Sequence, residues 1–447
     1  MGYSVGIVGL GEFSPHFVPL YQAHPLVDRV ALAELRPDVL GRYAREFEID
    51  ETYPSFEEML KSDLDAVAIF TQRWAHAPMA IAALKAGKHV YSAVPAAVTI
   101  DELGELVKTV EETGLTYALG ETSYYRPPTI YCRNRFGRGD FGRFVYGEGH
   151  YYHDMSHFYS PYYGANGEQW KRFASFPPML YPTHSVSHVL GVTFSRMTHV
   201  SCLGWRDQHI DGIFRKDLSA WGNEFSNQSA LFRTADGGMA RINEFRRSAA
   251  GESRMSIIGT RAAYEEQPGM GKLGEMRAAA QAGIPYEESM TEGIWCQLVQ
   301  TQDNPVDGEF DYTKPYMEKH KERVPALHVG DTGVEITEVN KGDLPPEYIG
   351  RRWLGVSPHH PIHRLPREYV GMTNRHAGSH AFLVVDFLEA MDTGRLAPNN
   401  VWMSARYNAP GIVAHESSRR DGEMMPIPDF GTPPEGAEML EAGTELR

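Results

Sequence analysis

Short apolar runs alternate with helix-period segments through the first third of the chain. Tyr3–Leu10 is apolar and β-branched, as a buried strand requires, and Val30–Glu34, Ala66–Thr71, Val90–Ser92 and Thr116–Leu119 repeat the pattern. Between them, helical spacing predicts helices over Pro37–Phe47, Ser55–Lys61, His76–Ala86 and Ile100–Thr113. Their ends carry matching signals. Pro37 sits in a first turn, Ser55 is an N-cap, Thr99 or Asp101 caps the fourth helix, and Gly87 and Gly114 suit left-handed stops. Strands alternating with helices imply right-handed crossovers and a parallel sheet. The fold class is therefore α/β, with residues 1–121 as one doubly wound domain.

The texture changes after Glu121. A helix is expected over Ser123–Arg138, behind Pro127 and Pro128. Strand-like runs then follow in succession at Gly142–Tyr151, His199–Leu203, Gln228–Arg233, Met239–Phe245 and Arg254–Gly259. Few helices separate them, which predicts an α+β second domain with an open, mostly antiparallel sheet over 122–420. Residues 265–355 are rich in Gly, Pro and charge, and read as a long excursion, a lid or an interface. His380–Met391 has an amphipathic helical pattern. The tail from 421 to 447 is Pro- and Glu-rich and is expected to cross the surface as an arm.

Composition narrows the partners. The 447 residues carry a formal net charge of −15, and 42% of them are hydrophobic, so a packed core is affordable and disorder is excluded. An acidic surface repels phosphate backbones and anionic lipid, so neither nucleic acid nor a membrane surface is an expected partner. No apolar stretch approaches the ~18 residues of a membrane helix, and Met1–Phe13 lacks a signal-peptide pattern. Three cysteines far apart in sequence (Cys132, Cys202, Cys296) fit neither a disulfide framework nor a metal site. The expected compartment is cytoplasmic. His359, His360 and His363 are the tightest histidine cluster, but flanking prolines break any ligand-bearing helix, so no metal is expected.

Candidate chemistry starts at the end of the first strand. Gly9-Leu10-Gly11-Glu12-Phe13-Ser14 is a G-x-G-x-x-S run between a strand and a helix, the context of a Rossmann dinucleotide site. The first glycine permits the turn, the second lets backbone approach a pyrophosphate, and Ser14 is small enough to keep helix near strand. Glu34 ends the second strand, where a carboxylate accepts hydrogen bonds from a ribose and repels a 2′-phosphate. This favours NAD over NADP, although Arg36 nearby acts the other way. The plainer alternative is a glycine turn that only joins strand to helix.

Gly9–Gly11, the AGKHV-type stretch within His76–Val90 and the two-domain order together resemble the Gfo/Idh/MocA oxidoreductases. The likeness covers most of the chain and is weakest over 265–355. It implies a Rossmann domain, a sheet-faced substrate domain, NAD(P) between them, and commonly a homodimer or higher homo-oligomer formed through the open sheet. Most dehydrogenases of this family carry Glu-Lys-Pro after the AGKHV strand. Here the triplet is Ala93-Val94-Pro95, and Val94 cannot move a proton. The string Val94-Pro95-Ala96-Ala97 looks instead like the branch of NAD-dependent glycoside hydrolases, α-N-acetylgalactosaminidases among them, although Ala93 replaces their glutamate. Glu121, Tyr151-Tyr152-His153-Asp154 and Tyr181-Pro182-Thr183-His184 also resemble that branch.

By this resemblance the catalytic set is His184, Tyr181, Tyr151 and Glu121. The cofactor set is Gly9, Gly11, Glu12, Phe13, Ser14, Glu34, Arg36, Thr71, Trp74, His76 and Pro95. His153, His376 and His380 are expected at the substrate. The branch chemistry oxidises the sugar at C3, removes the acidified C2 proton, eliminates the aglycone, adds water and re-reduces C3. On that scheme His184 and Tyr181 act at C3, Tyr151 is the base at C2, and Glu121 orients the sugar or relays a proton. A helix starting at Tyr181 would put Tyr181 and His184 on one face and lower both pKa values. Two other readings stay open: an NAD-dependent sugar dehydrogenase acting at C3, and a non-catalytic NAD-binding sensor. Convergence of the tyrosines and histidine on one site discriminates the last from the first two.

Overall fold

The computed structural model describes residues 2–248, 252–267, 293–300, 315, 317–324 and 333–440. The first domain is a six-stranded sheet of β1 (Tyr3–Val8), β2 (Val27–Ala33), β3 (Thr52–Tyr53), β4 (Ala66–Ile69), β5 (His89–Ser92) and β6 (Tyr117–Leu119). Its order is β3-β2-β1-β4-β5-β6, and every pair is parallel. The chain leaves β1 to build one side of the sheet and returns at β4 to build the other. The crevice beyond the C-terminal ends of β1 and β4 is the switch point where such sheets bind ligands.

Around the sheet lie α1 (Val18–Ala23), α2 (Pro37–Glu46), α3 (Phe56–Leu60), α4 (His76–Lys85) and α5 (Ile100–Thr113). The cap signals act as the sequence predicts. Ser55 Oγ accepts from the Glu58 amide, and Thr99 and Glu102 form a reciprocal capping box. Gly114 closes α5 at φ +66°. The strand Thr52–Tyr53 has no sequence signal, being two residues long at the sheet edge.

After Glu121 come α6 (Pro127–Gly137), β7 (Phe144–Tyr152), α7 (Tyr159–Asn166), α8 (Trp170–Ala174) and α9 (Thr183–Thr193). The helix expected over Ser123–Arg138 is split: a 3-10 turn runs over Thr122–Tyr125, and α6 begins only at Pro127, whose ring forces the residue before it out of helical geometry. The strands β8 (Met197–Arg206), β9 (Phe225–Thr234), β10 (Met239–Phe245), β11 (Glu252–Gly259), β12 (Ala262–Glu266), β13 (Gly293–Gln300) and β14 (Met317–Val324) join β7 in a nine-stranded sheet. Only the β7–β10 pair is parallel.

Two expectations change here. Part of the excursion expected over 265–355 is sheet, because β13 and β14 extend one edge. The outermost strand, Met317-Glu-Lys-His-Lys-Glu-Arg-Val324, alternates charges that discourage further pairing, and this hides it from an apolar-run search. The short pair β15 (Val334–Glu335) and β16 (Arg352–Trp353) follows. Much of the stretch given the lid or interface reading, 268–292, 301–314 and 325–332, lies outside the described residues. The tail is not simply a surface arm: β17 (Met425–Pro426) pairs with β8 at the other sheet edge, and Ile427 and Leu440 are buried.

Helix α9 lies against β7 because β7 offers glycines there. A Cβ at Gly149 would overlap the Ser185 carbonyl oxygen, and one at Gly147 would sit 3.0 Å from Val189. Helix α10 (Ser379–Thr393) returns to the first domain. It is buried on nearly every side rather than amphipathic, since Phe382, Phe387 and Leu388 share one core with Val5, Ile7 and Tyr91. Helix α11 (Val401–Arg419) joins β8 to α5. Asn400 caps it by accepting from the Trp402 and Met403 amides, and Pro410 lies in its interior. Its burial on all sides leaves no polar face for a periodicity search to detect.

Candidate active site

The dinucleotide end is built at the tip of β1. Gly9 adopts φ +89°, and a Cβ there would lie 2.9 Å from the Phe70 carbonyl, so the turn needs glycine. Nothing lies within 4 Å of a Cβ built on Gly11, which leaves open space for a ligand to approach backbone. Ser14 starts the following 3-10 turn, and its buried hydroxyl has no hydrogen-bond partner. Glu12 beside it is exposed. Glu34 Oε2 accepts from the Leu10 amide at 2.8 Å, and Oε1 accepts from Arg36 Nε at 2.9 Å. Burial opposes the Glu34 charge, but Arg36 and the two amides outweigh it and hold the carboxyl below its usual range. Arg36 is thus engaged by the carboxylate. The open glycine cradle, the unpartnered Ser14 hydroxyl and the ionised Glu34 fit NAD.

The loop after β4 forms the other wall. The His76 ring sits between two carbonyl oxygens, Pro95 at 2.9 Å and Thr71 at 3.1 Å, and burial lowers its pKa. It ties the loop after β4 to the Val94-Pro95 turn after β5, where the peptide bond is cis. Trp74 stacks on Phe173 at 5.3 Å and touches Trp221, anchoring this loop to the second domain.

The catalytic candidates converge at the junction. Glu121 follows β6 and is fully buried; its Oε1 lies 2.7 Å from His184 Nδ1 and accepts from the Ser123 amide at 2.8 Å. Burial raises the Glu121 pKa, yet His184 and that amide overcome this and keep the carboxyl below its usual range. The ring of His184 lies 5.1 Å from Tyr151 and 5.3 Å from Tyr181, centroid to centroid. His153 stacks on Tyr151 at 5.3 Å, at the rim of the group.

The route to this convergence differs from the expected one. Tyr181 is not in the helix; it follows a 3-10 turn at Pro178–Leu180, and α9 starts at Thr183. A helix N-terminus therefore does not lower its pKa: burial pushes the hydroxyl up to about 12, against Arg73 and Arg246. Burial likewise raises Tyr151 well above the ordinary phenol range. Both tyrosines rest as neutral phenols, which donate hydrogen bonds.

His376 and His380 are not with this group. They stack on each other at 4.8 Å and pack on Phe13, and His380 lies 4.2 Å over Phe17, behind the glycine loop. Burial drives the His380 pKa well down, so the ring is neutral packing for that loop. Among the described residues, no group of three or more His, Cys, Asp or Glu is arranged to hold a metal ion, and no helix is long and apolar enough to cross a membrane.

Two arginines and a glutamate escape sequence reasoning. Arg246 lies 5.2 Å over the Tyr151 ring and 5.7 Å over Tyr181. It donates to Glu244 Oε2 at 2.7 Å, and Glu244 accepts also from Ser185 in α9. Burial pushes Glu244 up to about 7 despite Arg246. The alternation Glu244-Phe245-Arg246 at a strand end was the available signal, since period 2 turns both charges to one face. Arg73, in the loop after β4, lies 4.6 Å over Tyr181.

Residues 3–121 match the model of the Gfo/Idh/MocA family, an oxidoreductase family with an NAD-binding Rossmann fold. The chain is 28% identical over 295 residues to a glycosyl hydrolase family 109 protein of Saccharopolyspora erythraea, covering 59% of this chain and 62% of that one. It is 31% identical over 231 residues to a family 109 protein of Solibacter usitatus, covering 48% and 52%. The chain thus spans little more than half the length of these relatives. In fold it resembles a levoglucosan dehydrogenase solved with NADH and levoglucosan, with a TM-score of 0.65 at 16% identity over 96% of this chain and 100% of that one. The glycine cradle at the tip of β1, the carboxylate at the tip of β2 and the family match over the same stretch agree: residues 3–121 match the NAD-binding Rossmann domain of the Gfo/Idh/MocA oxidoreductase family.

Proposed function

We propose that this chain is an NAD-dependent glycoside hydrolase, working by transient oxidation at sugar C3, elimination of the aglycone, water addition and re-reduction. Glycoside and water become sugar and aglycone, with no net redox change. NAD, when bound by the loop at Gly9–Ser14 and by Glu34, supplies the hydride chemistry. The observation that carries the reading is the Glu121–His184 pair set against Tyr151 and Tyr181, beside the dinucleotide crevice. Glu121 fixes the tautomer of His184 through Nδ1, leaving Nε2 to take the proton of the C3 hydroxyl. Tyr181 donates to a sugar oxygen and holds the ring in place, while Tyr151 passes its own proton to the departing aglycone oxygen and takes up the acidified C2 proton, so that the elimination balances. Val94 is buried and inert where family dehydrogenases carry lysine, which favours hydrolysis over net oxidation.

The test is a panel of p-nitrophenyl α- and β-glycosides, with aglycone release and NADH absorbance recorded together. Release without accumulating NADH is expected. Accumulating NADH with the glycosidic bond intact overturns hydrolysis in favour of a sugar dehydrogenase. Silence in both channels, with NAD bound, counts for the non-catalytic reading.

A homodimer belongs to the same proposal. The face of the nine-stranded sheet opposite α9 exposes Leu203, Trp205, Leu231 and Met239 on adjacent strands, with Leu203 65% and Leu231 58% accessible. Apolar side chains so clustered are normally covered. Light scattering should give twice the 50.1 kDa chain mass, and Leu203→Lys with Leu231→Glu should halve it. A single-chain mass for the unaltered protein removes the dimer.

A further inference from the structure

Among the described residues, Arg73 has no acid to pair with. It opens a 3-10 turn over Arg73–Ala75, directly after β4, at the switch-point crevice. Its guanidinium lies 4.6 Å from the Tyr181 ring centroid and 5.4 Å from that of Phe176, and Nη1 donates to Tyr162 Oη at 2.9 Å. Trp74 next to it is clamped by Phe173 and Trp221, so the backbone beneath the guanidinium is fixed. The ionisable groups beside it include Tyr162, Tyr181 and Tyr151, and His76 feels its charge.

Several enclosed arginines of the second domain are paired with acids. Arg246 pairs with Glu244, Arg126 with Glu266, Arg247 with Asp207 and Asp211, and Arg364 with Asp386 and Glu389. Among the described residues no carboxylate is within ion-pair distance of Arg73. A guanidinium stays charged at any accessible pH and carries five N–H donors in a planar fork. One donor is used, and phenols do not cancel the charge. Arg73 is half-buried, so the rest of its fork is open to a ligand, and an anion there would gain a charge-assisted hydrogen bond between aromatic walls. The pyrophosphate of a dinucleotide is drawn to the glycine loop at β1, whereas Arg73 faces Tyr181 and Tyr151, the rings around His184.

We propose that Arg73 receives an anionic group on the sugar, making the substrate an acidic glycoside. A planar carboxylate, as in a uronic acid, matches the free edge of the guanidinium in bidentate fashion. A sulfate ester shares that chemistry. The word glycoside rests on the hydrolase reading above; the anion site does not.

The experiment titrates the NAD-loaded protein with D-glucuronate, D-galacturonate, D-galactose 6-sulfate, D-glucose and D-galactose by calorimetry. The uronates should bind about 10- to 100-fold more tightly than the neutral sugars, the span of a charge-assisted hydrogen bond. Arg73→Gln should abolish the preference, Arg73→Lys should recover part of it, and both should bind NAD like the parent. If the sulfate wins and Arg73→Gln abolishes its binding, the anion is a sulfate ester. Equal binding of acidic and neutral sugars, or a preference that survives Arg73→Gln, overturns the proposal. Arg73→Lys keeps the test valid if Arg73→Gln does not fold. Parallel assays with p-nitrophenyl β-D-glucuronide and β-D-glucoside separate the two readings. Release from the neutral glycoside alone, unchanged by Arg73→Lys, leaves the hydrolase and removes the acidic sugar. Uronate binding that depends on Arg73, with NADH accumulating, keeps the anion site and removes the hydrolase.

Discussion

His184→Ala lowers the turnover of any glycoside the protein hydrolyses by about 10²–10⁴-fold, the range for loss of a positioned general base. NAD affinity stays unchanged. The imidazole touches no residue of the glycine loop, so the cofactor cradle survives the substitution. Its loss instead takes the His184 partner from Glu121 Oε1 and leaves that oxygen the Ser123 amide. A fully buried carboxylate so exposed to desolvation also costs stability, on the order of 1–3 kcal/mol. Glu121→Gln separates the effects. It preserves shape and removes the charge, so it should lower kcat in the same direction while His184 remains in place. The measurement is kcat with saturating glycoside, beside NAD binding by fluorescence. A loss under tenfold for His184→Ala, with NAD bound, would remove His184 from the chemistry.

Gly9→Ala should cost both the fold and the cofactor. A left-handed backbone costs an L-residue about 1–2 kcal/mol, and the new Cβ lies 2.9 Å from the Phe70 carbonyl carbon and oxygen. Neither can yield, because Phe70 follows β4 directly and its amide donates to the Val8 carbonyl. The loop must move, and about 1.4 kcal/mol of displacement is a tenfold loss in NAD affinity. Gly11→Ala provides the contrast. Its Cβ meets nothing within 4 Å, so the melting temperature should hold while NAD binding falls, the methyl group occupying space reserved for the ligand. Unchanged NAD affinity in both variants would mean that this turn is only a connection between strand and helix.

How much of this was legible in the chain depends on whether the signal was local. The order of β1 through β6 with α1 to α5 follows from alternating periodicities, and the caps at Ser55 and Thr99 act where the sequence puts them. Elements whose environment is uniform give no such signal. α11 is buried all round and β14 is charged throughout, so neither shows the two-sided pattern that marks an element at an interface between core and water. α10 was found by its spacing, but its faces were misjudged because the first domain covers the side expected to meet solvent.

The same division runs through the site. The turn at Gly9 and Gly11 and the acid at Glu34 are properties of a short stretch of chain, and the sequence by itself determined them. The motif strings also named Glu121, Tyr151, Tyr181 and His184. What only the tertiary structure decided is their chemistry. Glu121 meets His184 across 63 positions, and Arg246 reaches Tyr181 across 65. Burial then keeps both tyrosines as phenols at rest, and Arg73 meets three tyrosines and, among the described residues, no acid. His376 and His380 look like substrate contacts in one dimension, and in three they stack on each other and pack on Phe13 of the glycine loop. Charge and protonation depend on desolvation and on partners distant in sequence, and neither quantity exists until the chain has folded.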